Sequence, residues 1–477
     1  MTQRYDVYTN PLSTRYASPE MQRLFSDQRK FSTWRRLWLA LAEAQKELGL
    51  DIPDEALAQI RAHLDDVDFP AAEAYERKFR HDVMAHIHAL ADAAPAARGI
   101  IHLGATSQFV GCNTDLIQFR EGLTILLGRL ANLVDALGVF AKKYRDLPCL
   151  GFTHYQPAQL TTVGKRACLW TADFLRDIAD LEYRRDGLEF RGVKGTTGTQ
   201  ASFMALFEGD HEKVKALDRR VAEKMGFAKL ALVTGQTYSR KVDSGVMQAL
   251  AGIGVSVHKI CNDLRLLANL KEIEEPFEAD QVGSSAMAYK RNPMRCERAT
   301  SLARFLMDIS ASPTHTAAEQ WFERTLDDSA NRRMSIPESF LAADAVLLIM
   351  LNVVQGLVVY PAGIAAHVAA ELPFMATEDI LMAAVKVGGD RQALHERIRV
   401  HSQAAGEQVK VHGRPNDLLA RLKADGAFAK VNIDSVLTPS AFIGRAPQQV
   451  DEFLAEAVEP VRKRYASVLG QKAELKV

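Results

Sequence analysis

The sequence predicts an all-α protein built around a long central helical bundle. Two seams of apolar residues and one segment that is apolar on most faces carry that prediction. In Val246, Leu250, Ile253, Val257, Ile260, Leu264 and Leu267 the spacings alternate four and three without a break. That is the a/d pattern of a helix packed lengthwise on near-parallel neighbours. Leu123, Leu126/Leu127, Leu130, Leu133/Val134, Leu137, Phe140 and Tyr144 repeat it. At a rise of about 1.5 Å per residue, each helix runs to about 30 Å or more. Phe340 to Val359 suits a helix surrounded by others. No internal repeat, low-complexity tract or run of alternating strands is found.

Gly245, Ala249, Gly252, Gly254 and Ser256 intersperse the seam from Val246 to Leu267. They lower helix propensity, so close backbone approach is the expected reason for them. A bundle with so many faces to bury is expected to be completed by other subunits. Gly104 to Asn113 and Tyr360-Pro361-Ala-Gly363 punctuate the chain. The expected regions are an N-terminal helical domain, 1–106, a central long-helix bundle, 107–359, with a reactive loop near 279–293, and a C-terminal helical domain, 360–477.

The chain has 477 residues, with 59 Lys plus Arg and 59 Asp plus Glu, so its formal net charge is zero. That balance points away from nucleic-acid and membrane-surface partners, and an anionic ligand would need cations gathered locally. Met1 to Tyr16 is polar and lacks the apolar region of a secretory signal, so a cytoplasmic location is expected. The five cysteines are scattered, with no C-x-x-C pair, which argues against a disulfide framework or structural zinc. Ala345 to Tyr360 falls short of the roughly 20 residues that cross a bilayer and reads as a core helix.

Gly283-Ser284-Ser285-Ala286-Met287 follows the acidic, Pro-broken stretch Glu272–Glu278 and precedes a helix opened by Asn292-Pro293. Alone, such a stretch reads as a flexible linker. Lys290, Arg291, Arg295 and Arg298 change that reading by placing cations beside the hydroxyls, near helical N–H groups suited to negative charge. Ser284 and Ser285 are both candidate bases. His154, between Gly151 and Pro157, falls in a loop, where functional side chains concentrate. Arg80-His81-Asp82, with His86 and His88, does not make a metal motif, and a charged helix face is the simpler reading. Thr106 and Ser107 are placed to cap a helix. Arg324 and Arg333 flank Asp327-Asp328, which suggests internal salt bridges. The loop Gly192–Thr199 lacks both phosphate-loop patterns.

The segment GSSAMAYKRNPMRCE resembles the GSSxMPxKxNP signature of the fumarase/aspartase superfamily. Its Tyr289, Arg291 and Arg295 look most like the branch whose substrate is the purine nucleotide adenylosuccinate. SxRYASPEM, RHDVMAH, IIHLGATS, GFTHYQPAQLTTVGKR, TGQTYSRK, WFERTLDDSANRR and ELPFMATE extend the similarity over nearly the whole chain. The resemblance implies a three-region fold, a homotetramer whose subunits merge their bundles, and active sites drawn from three chains. It implies a lyase reaction that splits adenylosuccinate, and the related succinyl-carboxamide ribotide, with release of fumarate and without metal or organic cofactor.

By the same resemblance, Ser284 is the base, His154 the acid and Glu297 the carboxylate that orients it, with Lys290 beside the oxyanion. Arg80, His81 and Asp82 touch substrate, His81 orienting it. Thr106, Ser107, Lys290 and Asn292 hold its carboxylates, and Gln236 supplies a substrate-binding amide. Arg15, Tyr16, Arg298, Arg324, Ser329 and Arg333 bind the nucleotide, chiefly at its phosphate. Ala288 departs from the family's usual Pro. The alternatives are a superfamily lyase for an unphosphorylated substrate, such as argininosuccinate, and a non-catalytic bundle.

Overall fold

The computed structural model describes residues 6–475, so residues 1–5 of the polar N-terminal stretch lie outside it. The N-terminal region contains α1 (Pro19–Leu24), α2 (Asp27–Glu47), α3 (Asp54–Ala62), α4 (Phe69–Phe79) and α5 (Asp82–Ala93). Their starts are set by local chemistry. Ser18, Ser26 and Asp68 accept hydrogen bonds from the backbone N–H groups of Met21, Arg29 and Ala71, at 3.1, 3.2 and 2.9 Å. Each satisfies a donor that the first helical turn leaves unpaired.

The central region holds α6 (Ser107–Lys143), α7 (Val163–Asp186), α8 (Ala201–Leu206), α9 (His211–Lys224), α10 (Lys241–Asn269), α11 (Met294–Ala318) and α12 (Asp328–Gln355). The two apolar seams fall on α6 and α10, and all the seam residues of α10 are buried. Helix α10 packs along α11 and α7, and α12 packs against α11 and α6. The glycines of α10 mark these contacts. A Cβ at Gly254 would lie 3.1 Å from the carbonyl oxygen of Ala303 on α11, and one at Gly252 would lie 3.2 Å from Asp177 Oδ1 on α7. Gly245 faces the guanidinium of Arg184 on α7. Close approach within one chain therefore accounts for these glycines.

The third apolar segment ends differently from its sequence pattern. Helix α12 closes at Gln355, and Val358–Val359 forms β4, paired antiparallel with β3 (Ile273–Glu274). A Cβ at Gly356 would lie 2.5 Å from Pro276 Cβ, so the glycine lets that stretch cross the helix end. Helices α6 and α12 are long and apolar enough to span a membrane by length and composition, but 67% and 78% of their apolar windows are buried inside the protein. They are core helices. All five cysteines are buried and unpaired.

A hairpin of β1 (Pro148–Thr153) and β2 (Gln156–Thr162) joins α6 to α7. The chain then continues through α13 (Pro361–Met375), α14 (Thr377–Lys386), α15 (Arg391–Lys410), α16 (Leu418–Ala424), α17 (Ala446–Phe453) and α18 (Glu459–Arg464). Ala376 to Ile433 contribute a second, smaller core, whereas Val450, Val458 and Val461 return to the core of the bundle. We propose the three-region division on the strength of that second core, with the last helices folded back along α6.

One buried group in the bundle has no full set of partners. Asp177 on α7 is buried, and its Oδ2 lacks a hydrogen-bond donor among the described residues. Burial, reinforced by Asp180 and Asp173, pushes its pKa up to about 7, against the pull of the Ser256 hydroxyl. The folded state then holds its proton to higher pH than the unfolded chain, whose Asp titrates near about 4. The corresponding stability is fully present below that lower value and is lost as pH rises toward 7. Asp177→Asn is expected to raise the thermal midpoint at pH 8 and to change it little near pH 4. An equal shift at both pH values would show that ionisation of this carboxyl is not the cause.

Candidate active site

The loop before α11 is shaped by hydrogen bonds from its own backbone. Ser284 Oγ accepts from the N–H groups of Ala286 and Met287, at 3.3 and 3.1 Å. Asn292 Nδ2 donates to the carbonyl of Gly283 at 2.7 Å, and the Lys290 N–H donates to the carbonyl of Met287 at 3.0 Å. Gly283 is buried, and a Cβ there would collide with the carbonyl oxygen of Lys290. Only glycine lets the loop close on itself. Two amides aimed at one hydroxyl oxygen favour its anionic form. Among the described residues no backbone N–H donates to Ser285 Oγ, so the local geometry separates the two serines.

The helix that follows does not offer its amides to a ligand, contrary to the reading from sequence. Helix α11 starts at Met294, and the N–H groups of Arg295 and Cys296 both donate to the buried carboxylate of Glu275 at 2.9 Å. Burial pushes the Glu275 pKa up, while these two amides and Arg295 pull it down. Arg295 is itself buried, bonded to Asn352 Oδ1 at 2.9 Å and to Glu278. Arg291 stands 3.7 Å from Glu274 and over the ring of Phe277. Of the loop cations, these two tie down its stem, and Lys290 is exposed. Glu297 lies one turn into α11, exposed, 3.9 Å from Arg265.

His154 and Tyr155 form the two-residue turn of the β1–β2 hairpin, with φ of 52° and 57°. Two successive left-handed residues are what a tight hairpin turn requires. The imidazole is carried, exposed, on the tip of a ribbon. The loop expectation holds at the tip. The flanking strands were not visible because Gln156–Thr162 lacks apolar alternation.

A cleft of about 270 Å³ lies between α2, α5, α6 and the start of α12, lined by Asp82, Arg324, Ser329 and Arg333 among others. Arg333 donates to Asp82 Oδ2 at 2.9 Å, instead of pairing with the neighbouring Asp327-Asp328. Arg324 does pair internally, 3.7 Å from Asp328 Oδ1. Gln236 links Arg324 to Thr106: its Oε1 accepts from Arg324 Nη1 at 3.4 Å, and its Nε2 donates to Thr106 Oγ1 at 3.2 Å. Thr106 is therefore the N-cap residue of α6 in position only, since its hydroxyl makes no cap hydrogen bond. Ser107 is the first residue of that helix. His81 caps α5, its Nδ1 accepting from the Met84 N–H at 3.3 Å. Arg80, left-handed at φ 56°, ends α4 just before it.

Arg15 and Tyr16 lie elsewhere, in a second cleft with Arg298 and the C-terminal residues Lys472–Leu475. Both guanidinium groups sit 5.9 Å from the Tyr16 ring centroid. The predicted residues thus occupy four places in one chain: loop, hairpin tip and two clefts. Among the described residues no hydrogen bond or ion pair joins His154 to Glu297 or Ser284.

The structure adds residues that sequence reasoning missed. Lys30, Asp115, Arg240 and Arg332 line the first cleft. On the sequence each is a charge within a helical pattern, and only the fold turns it inward. Arg332, beside Arg333, was the nearest to a signal. His86 is buried and stacked on Phe31 at 3.6 Å, and burial, with Arg35 and Lys30, lowers its pKa to about 4. Among the described residues no group of three or more His, Cys, Asp and Glu side chains is arranged to hold a metal ion.

A long-helix bundle with a serine loop, a raised histidine and arginine-lined clefts is the construction of a fumarate-releasing lyase of the fumarase/aspartase superfamily, and the comparisons agree. Residues 14–307 match the family model described as lyase, and residues 373–453 match that described as adenylosuccinate lyase C-terminus. The chain is 55% identical over 468 residues to adenylosuccinate lyase of Saccharomyces cerevisiae, covering 96% of this chain and 97% of that one. It is 54% identical over 472 residues to the Schizosaccharomyces pombe enzyme of the same name, covering 98% of each. This chain belongs to the adenylosuccinate lyase family. The fold is shared more widely: 3-carboxy-cis,cis-muconate lactonizing enzyme from Pseudomonas putida superposes with a TM-score of 0.81 at 22% identity, over 96% of this chain and all of that one. Fumarate lyase from Mesorhizobium sp. BNC1 gives 0.78 at 24%, over 94% and all of the two chains.

The loop geometry generates a test that spares every titrating group. Gly283→Ala is expected to lower turnover at least about 100-fold, the scale of a lost positioned catalytic group, with helicity by circular dichroism unchanged. Turnover within a few-fold of the parent would mean that the closed loop is not needed.

Proposed function

We propose that the chain cleaves adenylosuccinate to AMP and fumarate, and SAICAR to AICAR and fumarate, in purine nucleotide biosynthesis. The observation that carries the mechanism is the pair of amides donating to Ser284 Oγ. A serine alkoxide is costly in water, and two directed N–H groups with Lys290 on the same loop lower that cost. Ser284 removes the proton from the carbon beside a succinyl carboxylate. The electron pair passes into that carboxylate as an aci-carboxylate, then forms the carbon–carbon double bond as the C–N bond breaks. His154, oriented by Glu297, delivers a proton to the departing nitrogen. The acid on a hairpin tip and the base on a separate loop can approach the scissile bond from opposite faces.

The succinyl carboxylates are held by Thr106, Ser107, Lys290 and Asn292, Gln236 contributes a substrate-binding amide, and Arg80, His81 and Asp82 touch the substrate, His81 orienting it. Arg15, Tyr16, Arg298, Arg324, Ser329 and Arg333 hold the nucleotide, the arginines by the forked geometry that suits phosphate. These groups occupy separate places in one chain, with the two clefts lined by different residues, which supports a homotetramer with each site drawn from three subunits. Exposed Leu169, Tyr183, Val255 and Leu266 on α7 and α10 supply apolar surface for such an assembly. No metal or organic cofactor takes part, and the enzyme works in the cytoplasm.

Incubation with adenylosuccinate, SAICAR and argininosuccinate, read by fumarate release, is expected to give turnover on the first two. Activity on argininosuccinate alone would refute the proposal. Ser284→Ala is expected to remove about 10²–10⁴-fold or more of turnover without loss of assembly, and near-parental rates would transfer the base to another residue. Arg333→Ala is expected to raise KM about 10- to 100-fold, from about 1.5–3 kcal/mol for a charged hydrogen bond, with a smaller change in kcat. An unchanged KM would remove Arg333 from the nucleotide site.

A further inference from the structure

The arginines of the first cleft are already partnered by carboxylates. Arg240 and Arg324 both face Asp328, Arg332 bonds Asp115 and Asp243, and Arg333 bonds Asp82. Lys30 is different. It lines the same cleft from α2, yet no carboxylate lies within 4.0 Å of its ammonium among the described residues. Instead the ammonium sits 4.9 Å from the Phe31 ring centroid and 5.3 Å from that of Trp34.

The groups around it come from four helices: Arg333 on α12, Asp82 on α5, Asp115 on α6 and Asp27 on its own α2. Desolvation first, then Arg333, pulls the Lys30 pKa below its usual value, and the three aspartates pull the other way. Two of those aspartates are committed to arginines. A partly buried ammonium without a counter-ion is costly, and an anionic ligand would offset that cost. The start of α12, with Ser329 in its first turn, opens on the same cleft and favours a compact multivalent anion there.

We infer that Lys30 is a further substrate-binding residue, supplying the unneutralised positive charge that seats the phosphate monoester of the nucleotide against Ser329 and Arg333. The inference rests on the nucleotide-cleaving reading above and deepens it. Arginine pairs shape the cleft, and the lysine adds a cation that no carboxylate pairs.

Calorimetric titration of the full-length protein with AMP, inorganic phosphate, adenosine and fumarate tests this. Lys30→Met, close in volume, is expected to weaken AMP and phosphate binding about tenfold or more and to leave adenosine and fumarate within about twofold. Lys30→Arg is expected to restore AMP binding and to hold it to higher pH, because the parent's affinity falls as pH rises through the lowered lysine pKa. AMP affinity within twofold in Lys30→Met would overturn the inference, as would a loss confined to fumarate. A parent that releases fumarate from adenylosuccinate while Lys30→Met binds AMP normally would sink Lys30 alone. A parent that neither binds AMP nor cleaves adenylosuccinate would sink both readings.

Discussion

A buried ionic network at one end of the bundle fixes how its helices meet. Arg332 on α12 donates to Asp243 on α10 at 2.6 Å, and to Asp115 on α6 and the Tyr238 hydroxyl at 2.7 Å each. Tyr238 donates in turn to Asp243 at 2.6 Å, and Arg240 holds Asp328 at 2.7 Å. Burial alone would lower the pKa of such an arginine, but Asp243, Tyr238 and Asp115 outweigh it and hold the Arg332 pKa above its ordinary value. Desolvation consumes most of the Coulombic gain of such pairs, so apolar residues of similar volume would stabilise about as well. What charges add is direction. A slide of α12 along its neighbours would leave several of them buried without partners, which apolar packing does not forbid so sharply.

That constraint bears on the site because Ser329 and Arg333 belong to the same helix start as Arg332 and Asp328, and Arg324, just before that helix, faces Asp328. Their positions follow from the register of α12. Glu275 performs the corresponding service for the serine loop, since it clamps the first turn of α11 and so fixes where the loop ends. Ser329 and Arg333, proposed to face the phosphate, therefore rest on a rigid helix end, while the proposed base and acid sit on a loop and a ribbon tip. Such a division suits a reaction in which the reacting groups close on a substrate that fixed charges have already oriented.

Much of this was legible in the sequence. The four-three alternation of Val246 to Leu267 survives as the buried face of α10 because helix packing depends on periodicity, which is local. Gly151 and Pro157 mark a loop at His154, which holds only for the two-residue tip, because the polar strand Gln156–Thr162 carries no period-two signal. The N-terminus of α11 misled because its amides are taken by Glu275, nineteen residues before the helix begins at Met294, a contact no local pattern encodes. Lys30 and Arg332 were hidden for a related reason. A charge in a helical sequence reads as solvated, and only the tertiary fold turns it toward a cleft. The motifs carried the resemblance, yet the chemistry of any one of them was ambiguous until its partners were in place.

A protein of zero net charge that holds a substrate with several negative charges cannot depend on long-range attraction. Its arginines are also mostly neutralised by their own aspartates before any ligand arrives. Binding must then work at contact range, where phosphate or carboxylate adds to, or displaces, an existing ion pair such as Arg333–Asp82. The exchange is selective, because only a ligand that matches the fork geometry competes with a carboxylate already there. An unpaired lysine in the same cleft supplies what the balanced pairs lack. Geometry is set by the arginine–aspartate pairs, and part of the pull on an anion comes from the Lys30 ammonium, which no carboxylate among the described residues approaches within 4.0 Å.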